Sequence, residues 1–495
     1  MSTIQKEQSV HKTLDDYSRK YLELENGYDE LRWRLLTTPK GFFSGLESLY
    51  NGAQLFVNQM RTPHVLSQDE LQDALKKGHV DQHVRYQQLA HAASYHEESD
   101  FFGQLYLNYL KLRAFGAWEK AHARDDFNVA AAPLGRLLKT QFARAEKAGK
   151  SPYDYGLAAY SRGLKDRTVE TLMNDTYRAY VQLNSERLKQ GNTEQKTYAP
   201  LVINKNAQQR IVKRIWADMA VDMDRLQYSE GAHPACFGSY DHVMLSMAYD
   251  EDNALNTFMS AVHEGGHALY RQNLPCALYG RAAGKIAGRD MDEAMALFWE
   301  HGIAHNPNFA EYLSRVICDE TGGEVDYPAA DIHAQIIGGG GNGLRINADV
   351  LHYPLHLMQR RAVMKNLVRQ GGDIRNLKQI FNAEAASYIG ADADYSHDRH
   401  GILQDPHWFA GDYADFDNYF MGQNYALALY QHMQPARFEH LIKDGQFMPI
   451  VKWLNANIYQ YGALFTSAEI VGNVVPPKQM GVNGYAAHMR DVYKL

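Results

Sequence analysis

Apolar residues recur at intervals of three and four residues over most of this chain, and this spacing constrains the fold more than any other feature. Residues so spaced share one face of an α-helix, so the pattern predicts amphipathic helices. Glycine closes several of these segments, as is common just after the end of a helix. The segments are 69–96, 101–123, 127–149, 167–191, 207–227 and 348–372. We therefore predict a mainly α-helical body.

A small β element interrupts the helical pattern. Residues 237–250, "FGSYDHVMLSMAYD", carry aromatic and β-branched residues between Gly and Asp, which predicts a short hairpin or an edge strand. Segment 321–333 is broken by glycine and proline, and we expect it to pair with that element. The glycine run in 336–345 lacks the Lys-Ser or Lys-Thr of a phosphate-binding loop, which favours a flexible turn close to a site.

The 495 residues are expected to form a single domain, because no internal repeat and no Ser- or Pro-rich linker divides them. Within it we distinguish an N-terminal helical region (1–195), a central region with the motifs described below (196–435) and C-terminal helices (436–495).

The charge balance excludes several classes of partner. Lys and Arg number 51 against 58 Asp and Glu, which leaves no basic surface expected for nucleic acid or for an anionic membrane. The three cysteines form no C-x-x-C pair, and the polar N-terminus lacks the apolar core of a signal peptide. No run of about 18 apolar residues is present to span a membrane. We expect a soluble, cytoplasmic protein.

The stretch "AVHEGGHALY" (261–270) contains an H-E-x-x-H pattern. On a helix, His263 and His267 lie one turn apart on one face, where both imidazoles can bind one Zn²⁺ ion. Glu264 lies beside them and can take a proton from the water that the metal activates. The pattern also arises by chance, and Gly265 and Gly266 each cost a helix about 1 kcal/mol relative to alanine. Two successive glycines are therefore expected where another backbone or a substrate packs closely.

A catalytic zinc site needs a third protein ligand. Segment 288–302, "GRDMDEAMALFWEHG", reads as an amphipathic helix with Asp292, Glu293 and Glu300 as candidates. The same acids also suit the solvated face of a surface helix.

Four motifs together resemble the Taq-type zinc carboxypeptidases. "HEGGHALY" is similar to H-E-x-G-H-x-L-Y of that family, and "DEAMALFWEH" (292–301) to H-E-S-x-S-x-x-W-E-N, with Asp292 at the first His. "LRINAD" (344–349), followed by Tyr353 and His356, resembles I-R-x-x-A-D, and "GILQDPHW" (401–408) matches G-x-x-Q-D-x-H-W throughout.

The resemblance implies an all-helical metallopeptidase, a cytoplasmic homodimer, acting on peptides with a free C-terminus. It implies zinc held by His263, His267 and Glu293, with Glu264 as general base; Co²⁺ also suits such ligands. The other predicted site residues are His407 with Tyr353 or Tyr419 for the oxyanion, Gln404 and Asp405 for positioning around the substrate, and Arg345 for the substrate carboxylate. His407 also reads as a core histidine, and Arg345 as one half of a structural ion pair.

The chain departs from the family in the motifs that recognise the substrate. The family's D-x-R-x-T falls on 242–246, which places His242 at the Asp, Met244 at the Arg and Ser246 at the Thr. In the family that arginine is thought to help hold the C-terminal carboxylate, and methionine cannot do so. Val350 likewise stands where a glutamate is usual, and 413–423 has lost an aromatic family motif.

Three classes of function therefore compete. The first is a zinc metallocarboxypeptidase. The second is a zinc amidase or peptidase with altered substrate recognition on the same scaffold. The third is a non-catalytic zinc-binding scaffold protein, against which the intact Glu264 and the two histidines argue.

Overall fold

Helices make up most of the computed structural model, which describes residues 101–190, 198–231, 233–279, 282–338, 343–390 and 395–495. The described helices are α1 (Phe101–Arg124), α2 (Asn128–Lys147), α3 (Pro152–Ala158), α4 (Asp166–Lys189), α5 (Lys205–Asp218), α6 (Ala254–Gln272), α7 (Arg289–Leu297), α8 (Pro307–Glu320), α9 (Ala329–Ile337), α10 (Tyr353–Arg369), α11 (Leu377–Tyr388), α12 (Phe416–Met433), α13 (Glu439–Asp444), α14 (Met448–Asn457), α15 (Ser467–Val474) and α16 (Val482–Tyr493). The mainly α-helical fold is therefore confirmed.

The helices predicted from apolar spacing lie close to their expected bounds. Segments 101–123, 127–149 and 167–191 correspond to α1, α2 and α4, and segment 348–372 contains α10. The predicted helix at 69–96 lies outside the described residues. Among the described residues, no helix has the length and apolar character needed to cross a membrane.

The sheet has three strands, β1 (Leu226–Glu230), β2 (Ala235–Ser239) and β3 (His242–Met247), in the order β1-β3-β2. Strands β2 and β3 form the predicted hairpin, antiparallel with Ser239 opposite His242. Strand β1 pairs parallel to β3, so β3 is the central strand and the alternative of an edge strand is wrong for it.

Two predicted assignments are wrong. The helix expected over 207–227 ends at Asp218, because the backbone turns at Ala220 with a φ of 67°, and residues 226–230 then form β1. Segment 321–333 does not pair with the sheet. Gly322 and Gly323 adopt positive φ angles after α8, and α9 starts directly after Pro328, whose fixed φ suits a helix start. Local backbone turns end both predicted elements, and pairing with β3 makes 226–230 a strand.

Helix α6 runs through the middle of the core. Ala261, Val262, Ala268 and Leu269 are fully buried, and a continuous cluster of buried apolar side chains extends from Leu107 to Val475 around them. The helix begins at a capping residue, since the Asn253 side chain accepts a hydrogen bond from the backbone N–H of Leu255. The division into regions 1–195, 196–435 and 436–495 stays a prediction.

Candidate metal centre

Gly266 lets α7 pack directly against α6. A Cβ atom added to Gly266 would lie 2.7 Å from Cα of Ala296 and 2.8 Å from the carbonyl oxygen of Met295. Such distances leave no space for a methyl group. Gly265 faces side chains instead, with the nearest atom the Cε of Met219 at 3.0 Å from the added Cβ. The expectation of a closely approaching backbone thus holds for Gly266.

Overpacking a filled core usually costs about 1–3 kcal/mol. The helix propensity gained by alanine offsets about 1 kcal/mol of this cost, so we expect Gly266→Ala to destabilise the protein by up to about 2 kcal/mol. Gly265→Ala is the matched control, because the atoms nearest its added Cβ belong to the side chains of Met219 and Trp216, at 3.0 and 3.1 Å, and not to backbone, so we expect a smaller loss. The unfolding temperature and the metal content are measured for both variants. Equal unfolding temperatures for Gly266→Ala and the parent would show that the two helices have room to separate.

The close contact of α6 with α7 brings three ligand atoms together. Nε2 of His263 and Nε2 of His267 each lie 3.8 Å from Oε2 of Glu293, and the three atoms are all within 4.8 Å of one another. Tetrahedral ligands about 2.1 Å from a zinc ion are roughly 3.4 Å apart, so small side-chain movements would complete the site. Oε2 of Glu293 is buried and has no hydrogen-bond partner among the described residues. These donors fit a divalent metal.

The other two candidate acids lie beside the outer nitrogens of the histidines, Glu300 in a hydrogen bond and Asp292 in a charge contact. Nδ1 of His263 is 2.7 Å from Oε2 of Glu300, and Nδ1 of His267 is 3.3 Å from Oδ1 of Asp292. Carboxylates in these positions orient metal-binding histidines and leave Nε2 for the ion. Burial alone would raise the pKa of Glu300, but its hydrogen bond and charge pairing with His263 lower the pKa to about 2. All three acids are shielded by the fold, so the alternative of a solvated surface helix is wrong for this segment.

Asp292 also links the site to the sheet. Nη2 of Arg271 donates to Oδ2 of Asp292 at 2.7 Å, and Nη1 of the same guanidinium donates to the carbonyl oxygen of Gly238 in β2 at 2.7 Å. A chain of polar contacts therefore runs from His267 to the backbone of the β2–β3 hairpin.

Glu264 lies next to the three candidate metal ligands but is not one of them. Its Oε2 atom is buried without a hydrogen-bond partner among the described residues. Burial raises the pKa of Glu264, while the charges of His263 and His267 oppose the shift. A buried carboxylate beside a metal site with one unused oxygen is suited to exchange a proton with a reacting group.

A second group of predicted residues forms a polar wall near the ligands. Nε2 of His407 is 3.2 Å from the hydroxyl of Tyr419, and the guanidinium of Arg345 stacks over the Tyr419 ring at 5.5 Å. Nη1 of Arg345 is 3.5 Å from the hydroxyl of Tyr353. Burial raises the pKa of both tyrosines, and the charge of Glu293 raises each further, so both keep their protons near the metal ligands.

Gln404 and Asp405 are occupied by contacts within the protein. Asp405 accepts hydrogen bonds from Nε and Nη2 of Arg345 at 3.0 and 2.9 Å and from Nε of Arg360 at 2.6 Å. Gln404 accepts from the backbone N–H of Arg345 at 3.0 Å and donates to the carbonyl oxygen of His400 at 2.7 Å. Burial would raise the pKa of Asp405, but the charges of the two arginines hold it well below its usual range. Both side chains therefore fix Arg345 in place.

Met244 and His233 belong to the sheet and its β1–β2 loop. Met244 is 1% exposed, opposite Gln227 in β1 and Phe237 in β2, so no cation stands at this place in the sheet. His233 was not foreseen, because it lies in the β1–β2 loop outside the quoted motifs. Burial lowers its pKa, and the charges of Arg345 and His263 contribute to the shift, which places the ring among the site residues.

Comparisons with known proteins now decide the family. The model of a family described as carboxypeptidase Taq (M32) metallopeptidase matches residues 54–493. The chain belongs to the M32 family. It is 27% identical over 356 residues to carboxypeptidase 1 of Bacillus subtilis (strain 168), covering 71% of each chain. It is also 27% identical over 371 residues to thermostable carboxypeptidase 1 of Pyrococcus furiosus, covering 72% of this chain and 73% of that one.

Solved structures agree with the M32 assignment at the level of fold. A structure of Pyrococcus furiosus carboxypeptidase superposes with a TM-score of 0.86 at 21% identity, covering 98% of this chain and 99% of the other. The M32 protein described here is a metallocarboxypeptidase, which confirms the predicted family and class of enzyme. A divalent metal is implied, and the His263, His267 and Glu293 cluster is its candidate site.

Proposed function

We propose that the protein is a zinc-dependent carboxypeptidase in which His263, His267 and Glu293 hold the metal and Glu264 is the general base. The observation that carries this proposal is the convergence of two Nε2 atoms on Oε2 of Glu293, at 3.8 Å each, beside an unused buried oxygen of Glu264. Zinc supplies Lewis-acid polarisation and lowers the pKa of water. Co²⁺ can take the same ligands.

Glu264 moves the proton in this mechanism. Its unused oxygen accepts a proton from the attacking water and later passes that proton to the leaving amine, so one carboxylate serves as base and then as acid. Because Glu264 is buried, it works without competition from bulk water.

His407 and Tyr419 stabilise the developing oxyanion. Burial lowers the pKa of His407 to about 3, so the ring is neutral, and its Nε2–H can donate to the oxygen of Tyr419. The tyrosine proton is then available to the carbonyl oxygen of the substrate. Tyr353, held near Arg345, is the second candidate donor.

Arg345 contributes positive charge for the free carboxylate of the substrate. Its Nε and Nη2 atoms are bound to Asp405, so Nη1 is the atom best placed to reach a ligand. Gln404 and Asp405 act on the substrate through Arg345, as positioning residues.

A matched pair of substrates tests the proposed activity. We expect a blocked dipeptide with a free C-terminal carboxylate to have a kcat/KM about 10- to 100-fold above that of its amide, since hydrogen bonds to a charged group contribute about 1.5–3 kcal/mol. Equal rates on the two peptides would favour the second candidate function, a zinc peptidase or amidase with altered recognition. The burial of Met244, where the family resemblance places an arginine, is the observation that favours it.

We also infer a homodimer located in the cytoplasm, on the family resemblance described above. Light scattering of the purified protein tests the first inference, and a monomeric mass at micromolar concentration would contradict it. Cell fractionation tests the second.

A further inference from the structure

Arg289 stands at the start of the helix that carries the third metal ligand. It is the first residue of α7, four residues before Glu293. Residues four apart lie on the same face of a helix, about 6 Å apart along its axis. The backbone N–H of Arg289 donates to the carbonyl oxygen of Tyr160 at 3.0 Å, which anchors this end of the helix. The Arg289 side chain thus starts one turn from a metal ligand.

The ion-pair partner of Arg289 adjoins the polar wall that contains Tyr419 and His407. Nη2 of Arg289 is 2.9 Å from Oδ2 of Asp415, a fully buried carboxylate. Asp415 directly precedes α12, and Tyr419 follows one turn later. The Tyr419 hydroxyl contacts His407. Arg289 therefore lies one turn from Glu293 on α7, and Asp415 lies one turn from Tyr419 at the start of α12.

Arg289 keeps more unused hydrogen-bonding capacity than Arg345 or Arg360. Its Nε atom is buried with no partner among the described residues, while its side chain as a whole is 25% exposed. Arg345 has two guanidinium nitrogens on Asp405 and is 8% exposed, and Arg360 is 1% exposed. Of these three arginines, Arg289 has the most exposed side chain, and its buried Nε has no partner among the described residues.

Electrostatic effects agree with this placement. Burial lowers the pKa of Arg289, but the charge of Asp415, followed by those of Tyr419, Asp412 and Glu293, raises it well above its usual value. In turn the charge of Arg289 contributes to lowering the pKa of His407. Arg289 is therefore a permanent cation within electrostatic reach of the metal ligand and the oxyanion donors.

We propose that Arg289 binds the C-terminal carboxylate of the peptide substrate and supplies the cation that the chain lacks at Met244. This assignment rests on the proposed carboxypeptidase function. Asp415 holds Nη2 of the guanidinium, and Nε, which has no partner among the described residues, is the donor that the proposal assigns to the carboxylate.

The test compares Arg289→Met with Arg289→Lys on the acid and amide forms of one blocked dipeptide. We expect Arg289→Met to raise KM for the acid about 10- to 100-fold with little change in kcat and to leave hydrolysis of the amide unchanged. Arg289→Lys keeps a point charge and is expected to recover part of the affinity. Arg214→Met is the matched control, since Arg214 pairs with Asp218 at the surface of α5 and its loss should change neither constant.

Binding measurements guard against effects on folding or turnover. In a Glu264→Gln background, calorimetry gives the affinity for the acid peptide without hydrolysis, and metal content and thermal unfolding report on structure. An unchanged KM and an unchanged binding constant for the acid in Arg289→Met would overturn the proposal. So would equal losses on acid and amide together with loss of metal, which would mark a structural role. A parent enzyme that does not prefer the acid would instead overturn the proposed function itself.

Discussion

Replacing Glu264 by glutamine is expected to lower kcat by about 10²- to 10⁴-fold while the metal stays bound. Glutamine has nearly the same shape but cannot accept the proton from water, and the three ligand atoms belong to His263, His267 and Glu293. The measurement is steady-state hydrolysis of a blocked dipeptide with metal content determined on the same sample.

Glu311→Gln is the control for this substitution. Glu311 lies at the surface and pairs with Lys443 at 2.6 Å, so its loss should leave kcat unchanged. If Glu264→Gln binds metal fully and turns over at the parent rate, another group must be the base, and the mechanism proposed above is wrong.

Replacing Glu293 by glutamine is expected to weaken metal binding more than any substitution outside the three ligands. The change removes the anionic ligand that faces both Nε2 atoms at 3.8 Å. Loss of a residue that only supports a ligand costs about 10- to 100-fold in metal affinity, and we expect the loss here to exceed that range. Activity titrated against buffered free zinc measures the shift.

Glu300→Gln provides the comparison, because Glu300 supports His263 through Nδ1 without facing the ion site. We expect it to fall within the 10- to 100-fold range. A weaker effect for Glu293→Gln than for Glu300→Gln would reverse the roles assigned to the two acids.

Removal of the metal with a chelator should abolish activity in the parent enzyme, with zinc or cobalt restoring it.

The local part of the metal site could be predicted from the sequence. His263 and His267 are one helical turn apart in any helix, so their spacing already placed two nitrogens on one face. The choice among Asp292, Glu293 and Glu300 needed the family resemblance. Spacing could not make that choice, because the three acids differ in which nitrogen they face, and this depends on how α7 packs against α6.

Long-range contacts account for what the sequence did not predict. Residues 226–230 carry no pattern that distinguishes them from the end of a helix, and they form a strand because β3 lies beside them. Arg289 had no motif to mark it, since its partner Asp415 is more than 100 positions away in the chain. The binding of Arg345 to Asp405 was likewise one of several possible ion pairs until the fold brought them together.

The contacts from His267 through Asp292 and Arg271 to Gly238 have a consequence for how such enzymes change. Through these contacts the metal ligands are connected to a backbone carbonyl of the β2–β3 hairpin, a group that every amino acid provides. Met244, at the position where the family resemblance places a substrate-binding arginine, belongs to the same hairpin and contributes a side chain instead. A substitution in the hairpin can therefore change a side chain that recognises substrate without altering the backbone contact that supports the metal ligands. A hairpin built in this way lets specificity evolve separately from catalysis.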